Sequence, residues 1–256
     1  MDKKDIHNSN QTRWEAASDN WAKCADSRGI WRKSHEDPSL VFEARTIQHL
    51  KDIKGKKAAV LGSGDNEAVF ALAGMGAIVT STDISQNQLD NAAKRAKTIP
   101  LDIEFIQQDV TQLDQLLDNS FDLVYTGGHV AVWVADLKKY YQEAARILKP
   151  GGLLVIEEYH PFRRVWKASK EKLEVGYPYF EQGPYKFYYN DDVLYPVEGG
   201  MPSYEFHYSV GDFMTAVIQA GCEIKDVYEF GDQYEDWEVA PMKGLPEFLS
   251  IVARKT

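Results

Sequence analysis

Cysteine is almost absent: Cys24 and Cys222 are the two thiols, far apart in the chain. Such a pair, without C-x-x-C spacing, supports neither a disulfide framework nor a zinc site, and no metal is expected. Long apolar runs are also missing, and none approaches the roughly 20 residues needed to cross a bilayer. The first residues, MDKKDIHNSNQ, have no apolar core of the kind a signal peptide carries. Positive charge is in deficit: 29 Lys and Arg stand against 39 Asp and Glu, a formal net charge of −10. That balance argues against a nucleic-acid backbone and against an anionic membrane as partners. The nearest approach to a basic patch, Lys94-Arg95-Ala96-Lys97, falls on a predicted helix and reads as a solvated face. A reduced, cytoplasmic protein is expected.

What the chain does have is alternation. Trp14, Ala17, Trp21, Cys24 and Ala25 recur at helical spacing from about Thr12, and Pro38 after Asp37 opens a second predicted helix running to Gly55. KKAAVLGSG then reads as a short buried strand broken by glycines, followed by a helix (NEAVFALAGMG), a strand (AIVTSTD) and a helix (QNQLDNAAKRAK). LDIEFIQQD, SFDLVYTGG and LLVIEE read as further strands. TQLDQLL is predicted as a short helix, and DLKKYYQEAARILKPGG as a longer one with Leu148 still on its apolar side, stopped by Pro150-Gly151-Gly152. Short apolar strands alternating with helices predict an α/β fold, a parallel sheet with helices on both faces.

Regularity fails between Tyr159 and Tyr208. This stretch holds 14 of the 31 aromatic residues, too many for a disordered segment and an unusual load for a plain loop. It reads as an insertion that walls or closes a substrate site. Ser209 with Asp212 resembles a capping box, opening a last helix before two closing strands. A single domain is expected, with a helical cap at 1–55, a nucleotide-type core at 56–158, the insertion at 159–208 and the rest of the core at 209–256.

Three features fall on the carboxyl edge of the predicted sheet. Gly62-Ser63-Gly64 ends the first strand, where glycines let the backbone turn and approach a ligand. Asp83 ends the second strand, at the distance where a carboxylate accepts ribose hydroxyls; it competes with a helix-capping role that Ser85 fills better. Asp109 follows the third strand and either meets an adenine or caps the segment from Thr111. A nicotinamide fingerprint would place glycine where Glu67 stands, and a carboxylate there repels a pyrophosphate. A nucleotide-like ligand without phosphate meets no such penalty.

VLGSGDN, TSTDIS, QQDV and FDLVYTGGHVAVWVADLKKYYQEAARILKPGGLLVIEE, at this joint spacing, resemble the class I S-adenosylmethionine-dependent methyltransferases. Within that class the chain is similar to the small-molecule group that includes the ubiquinone- and menaquinone-biosynthesis enzymes. The resemblance implies a Rossmann-like sheet of seven strands, mostly parallel, with an N-terminal helical cap. It implies S-adenosyl-L-methionine as cofactor and a small-molecule methyl acceptor. Carried over by position, Gly62, Ser63 and Gly64 face the methionine and ribose parts, and Asp83 binds the ribose hydroxyls. Ile84 packs on the adenine, Asp109 and Val110 meet its polar edge, and Thr126 lies beside the methionine moiety. The chain departs from the pattern at Val60, where an acid is common, at Asn66, where a third glycine is common, and at Val132, where a histidine often stands.

On the acceptor side, His129 after the fourth strand, His160 after the fifth and His207 before the last helix are the candidates for a direct catalytic role. Trp14, Trp21 and Trp31 either roof the cofactor or pack in the core. The competing reading is a non-catalytic S-adenosylmethionine-binding or interaction protein that kept the fold.

Overall fold

The computed structural model describes residues 2–62, 67–99, 101–189, 200–231, 236–237 and 240–256. Ser63 and Gly64, assigned above to the cofactor, lie outside the described residues.

Five parallel strands carry the site: β1 (Lys57–Leu61), β2 (Ile78–Asp83), β3 (Ile103–Gln107), β4 (Phe121–Gly127) and β5 (Leu148–Tyr159). The insertion contributes a hairpin, β6 (Tyr185–Tyr189) and β7 (Met201–Glu205). The chain closes with β8 (Cys222–Phe230), a two-residue pair β9 (Asp236–Trp237) and β10 (Ala240–Pro241), and β11 (Phe248–Lys255). The seven-stranded sheet runs β3-β2-β1-β4-β5-β11-β8, with β11 antiparallel to both its neighbours. Helices α1 (Lys3–Arg28), α2 (Ala44–Leu50), α3 (Glu67–Gly74), α4 (Gln86–Ala96), α5 (Leu137–Ile147) and α6 (Val210–Gln219) complete the chain.

Strand alternation divides the core in two. Ala59 and Leu61 of β1, with Leu154 and Ile156 of β5, join the cluster under α5 and α6. Ala58 and Val60, with Leu153 and Val155, join the cluster under α3 on the other face. Successive side chains point to opposite faces, so a strand buried on both must be apolar throughout, as these sequences are. Ser209 and Asp212 form the capping box, and Ser85 caps α4 by accepting from the N–H of Gln88 at 3.2 Å.

Four local expectations are corrected. Helix α1 begins at Lys3, not near Thr12, because its first turns bury His7, Asn10 and Arg13, which apolar periodicity does not register. The predicted helix from Pro38 to Gly55 is a 3-10 turn (Pro38–Leu40), capped by Asp37, and then α2. TQLDQLL forms turns: the N–H of Leu113 goes to Glu143 Oε2 (3.2 Å) and that of Gln115 to Gln108 Oε1 (3.1 Å), so side chains take donors a helix would need. Arg95 is buried, donating to the Ala22 carbonyl at 2.8 Å with its guanidinium over Trp31, so that run is not wholly a solvated face.

Candidate active site

The sheet changes direction between β1 and β4, since the chain first builds outward through β2 and β3 and then returns to the other side of β1. The crevice outside the carboxyl ends of strands at such a reversal is where open α/β sheets bind ligands. Gly62 sits there at φ +67°, its N–H donating to the Thr82 carbonyl at 2.7 Å. A Cβ on it would lie 2.5 Å from Val130 and 3.2 Å from Val110, so both conformation and space demand glycine. Asp83 ends β2, buried, with Oδ1 accepting from the N–H of Ser85 at 2.8 Å. Because Ser85 takes the cap of α4, Asp83 is not the cap.

Asp109 is held from two sides. Its Oδ1 accepts from the N–H and hydroxyl of Thr111 (2.8 and 2.7 Å), and His7 Nδ1 donates to Oδ2 at 2.5 Å. Burial alone would raise this carboxyl, but the His7 and Thr111 bonds hold it below its ordinary value. His7 Nε2 in turn accepts from the N–H of Ala135 at 2.9 Å, which places the ring proton on Nδ1. The local capping role offered for Asp109 is therefore present, and His7 was not foreseen. Val110 is buried against Gly62, and the Ile84 carbonyl accepts from Gln11 and Gln107 (2.9 and 3.0 Å). Thr126 is fully buried, its hydroxyl in a short hydrogen bond with Tyr140.

His7, Gln11 and Glu15 recur at four-residue spacing and so share one face of α1. Glu15 accepts from the N–H groups of Gln86 and Asn87 at 2.8 and 3.0 Å, a carboxylate at the start of α4. This face covers the rim above β2 and β3. The next face meets the insertion: Asn10 donates to the carbonyls of Trp133 and Tyr204 and accepts from the N–H of Tyr204, while Ser9 donates to the Pro202 carbonyl. Trp14 packs on Trp21 and Trp133, whereas Trp31 packs on Phe70 in the core.

A second constellation begins one residue from the glycine crevice. Gly128 and His129 both have positive φ (73° and 84°), an uncommon state for histidine. The turn is held by Glu158 at the end of β5, which accepts the Ala131 N–H at 3.1 Å and the N–H groups of Val130 and His129. Burial lifts Glu158 to about 7 despite those donors. His129 Nε2 accepts a short hydrogen bond from Arg164, and burial beside that guanidinium pushes the imidazole well below its ordinary range. Arg164 also lies 3.4 Å from Glu205, which accepts from the Tyr189 hydroxyl at 2.7 Å and stands 3.5 Å from His207 Nε2. Burial would raise Glu205, but Arg164, His207, His129 and Tyr189 bring it to about 2. A cavity of about 30 Å³ lies among His129, Glu158, Arg164, Phe206, His207 and Tyr208. A larger one, about 190 Å³, lies at the opposite edge of the sheet, among Lys56, Asp122, Lys149 and Arg254.

Two of the three candidate histidines are thus brought together and the third is not. His160 does not line that cavity, although Tyr159 and Pro161 on either side of it do; it is buried, with Nε2 bonded to Glu229 at 2.7 Å and Nδ1 accepting from the Phe162 N–H at 3.2 Å. It caps the turn Pro161–Arg164, and burial lowers its pKa. Arg164, Glu205 and Arg13 were missed. The available signal was the period-2 burial of β7, where Ser203 and Glu205 point inward from an aromatic hairpin.

A family model described as a methyltransferase domain matches residues 60–156. The ubiquinone/menaquinone biosynthesis C-methyltransferase of Bdellovibrio bacteriovorus is 41% identical over 99 residues, 38% of this chain and 41% of that protein. The ubiquinone biosynthesis O-methyltransferase of Coxiella burnetii is 33% identical over 108 residues, 42% of this chain and 45% of that one. The chain therefore spans less than half the length of either relative, and the two differ in the acceptor atom their names record. A solved S-adenosylmethionine-dependent methyltransferase from Mesorhizobium loti superposes with a TM-score of 0.61 at 25% identity, covering 81% of this chain and 94% of that one.

The rim fits the cofactor these comparisons imply. Asp83 is a buried carboxylate at the strand end, Gly62 allows close approach, and Glu67 opens α3 where a phosphate ligand would need donors instead.

Proposed function

The chain carries the fold and sequence motifs of the class I S-adenosylmethionine-dependent methyltransferases, and from that premise we propose that it methylates a small organic acceptor held between the β4 loop and the insertion. One observation carries this reading: Val130 packs on Gly62 in the cofactor crevice while its neighbour His129 faces the cavity that His207 also lines. One short loop would therefore touch both reactants.

The chemistry that S-adenosylmethionine would supply when bound is an electrophilic methyl, passed in line to the acceptor with loss of the carbon–sulfur bond. The chain's work is alignment, which supplies up to about 7–11 kcal/mol of such a barrier. Gly62, with Ser63 and Gly64, would turn the backbone around the methionine and ribose parts. Asp83 would accept from the ribose hydroxyls, Ile84 would pack on the adenine, and Asp109 and Val110 would border its edge. Thr126 would shape the floor through Tyr140 instead of offering its hydroxyl. His129 and His207 would be the groups that take an acceptor's proton. His129 does so only when its bond to Arg164 is exchanged, because that bond uses the same lone pair. The fully engaged His160 would orient the loop after β5.

Asp83→Ala tests the cofactor half. Loss of a charge-assisted pair of bonds should cost about 1.5–3 kcal/mol, roughly 10- to 150-fold in the dissociation constant for S-adenosylhomocysteine. Calorimetric titration of a folded variant with unchanged affinity would remove Asp83 from the site.

A further inference from the structure

Arg13 is among the most deeply buried side chains of the protein, 2% exposed, yet Nε and Nη1 have no hydrogen-bond partner. Its guanidinium lies 4.3 Å from the Trp14 ring centre and 4.7 Å from that of Tyr189, so aromatic faces and not carboxylates surround it. Such faces attract a cation, but they satisfy no N–H donor. The indole N–H of Trp133, whose ring is also beside Arg13, is buried and unpartnered as well. So is Nδ1 of His207, which is 8% exposed, while its Nε2 lies 3.5 Å from Glu205. The neighbouring carboxylate, Glu205, is already shared by Tyr189, Arg164 and His207. More than nine in ten buried polar groups of folded proteins are paired, and a buried cation without a partner is among the costliest exceptions. Here the unpartnered donors of Arg13 and Trp133 stand side by side from segments far apart in sequence, Tyr189 and Glu205 link them to His207, and burial depresses the Arg13 guanidinium.

We propose that Arg13, with Trp133 and His207, forms a recognition site for a carboxylate on the methyl acceptor, whose apolar body rests on the surrounding aromatic rings. The inference rests on the methyltransferase reading and narrows its acceptor to organic acids. A carboxylate has the two oxygens and four lone pairs that a guanidinium edge and neighbouring N–H donors require. The cavity of about 30 Å³, which His207 lines and Arg13 and Trp133 do not, admits a water-sized group and not a whole acceptor, so the insertion would part from the β4 loop for the acid to reach them.

The test uses the full chain saturated with S-adenosylhomocysteine, followed by tryptophan fluorescence, since Trp14 and Trp133 are at the site. The probes are 4-hydroxybenzoate and 3-phenylpropionate, each beside its primary amide. Acids should bind at least tenfold more tightly than amides, and Arg13→Met should erase that preference while S-adenosylhomocysteine affinity stays within a few-fold. Melting adds an independent readout. If Arg13 serves a ligand, exchanging an unpartnered buried cation for an apolar side chain should leave the ligand-free melting temperature unchanged or higher. Equal binding of acids and amides, no binding of either acid at millimolar concentration, or a clear fall in melting temperature in Arg13→Met would overturn the proposal. Failure of the wild-type protein to bind S-adenosylhomocysteine would instead overturn the reading beneath it.

Discussion

The cofactor crevice and the proposed acceptor wall meet at the β4 loop and along α1, but they are built on different principles. The crevice comes from strand ends that the parallel sheet sets side by side, and each contributing residue lies next to an apolar run in sequence. The wall comes from three segments, α1, the turn after β5 and the hairpin β6–β7, joined by polar contacts such as those of Asn10 with Tyr204 across 194 positions. A crevice of the first kind is a by-product of the fold. A wall of the second kind exists only once the whole chain is packed, and its chemistry can change without disturbing the sheet.

Substitutions on each side should separate along that line. The largest effect is expected from Gly62→Ala, which adds a methyl 2.5 Å from Val130 at a positive φ. Strain and overpacking together should cost about 2–4 kcal/mol of stability, with cofactor affinity falling more than about tenfold. Urea denaturation and calorimetry would measure the two losses. A variant that lost acceptor turnover but kept its cofactor affinity would show that the two regions are not separable at this residue.

Glu158 joins the regions, and its expected effect depends on pH. Its carboxyl is raised to about 7 by burial, so the folded state favours the protonated form. That contribution is fully present below about pH 4.5 and is lost as pH rises through about 7, a swing of about 3 kcal/mol. Glu158→Gln should remove the swing, so that wild-type stability falls relative to the variant between pH 5 and pH 8. Parallel pH dependences for the two proteins in chemical denaturation would mean that Glu158 is ionised throughout.

The smallest expected effect is at Asn10, on the wall alone. Asn10→Ala leaves the N–H of Tyr204 and two carbonyls without this partner, at a cost of about 1–3 kcal/mol. S-adenosylhomocysteine affinity should stay within a few-fold while acceptor turnover falls. If affinity fell as well, α1 would act as one rigid piece across both regions.

The crevice was legible because it obeys local rules. Buried parallel strands must be apolar on both faces, and a turn at φ +67° pressed against Val130 and Val110 must be glycine. Ser85 and Ser209 cap helices through their own neighbours, so their roles also follow from short-range sequence. Asp83, Asp109 and the glycine turn could be placed on one rim because strand ends in a parallel sheet share an edge. His129 and His207 were named without any means of knowing that they share a cavity, or that His160 does not.

Sequence by itself determined the alternation of the core strands with the helices between them, the carboxylates at the strand ends and the absence of a phosphate-type glycine pattern, since these depend on periodicity and nearest neighbours. Tertiary structure alone decided that a polar N-terminal segment is a partly buried helix, that His7 grips Asp109, and that Arg164 and Glu205 meet beside His207. The physical reason is the kind of contact involved. Apolar burial repeats with the period of the backbone and leaves a pattern in the chain, whereas a polar contact between distant segments depends on two side chains whose pairing no local period records.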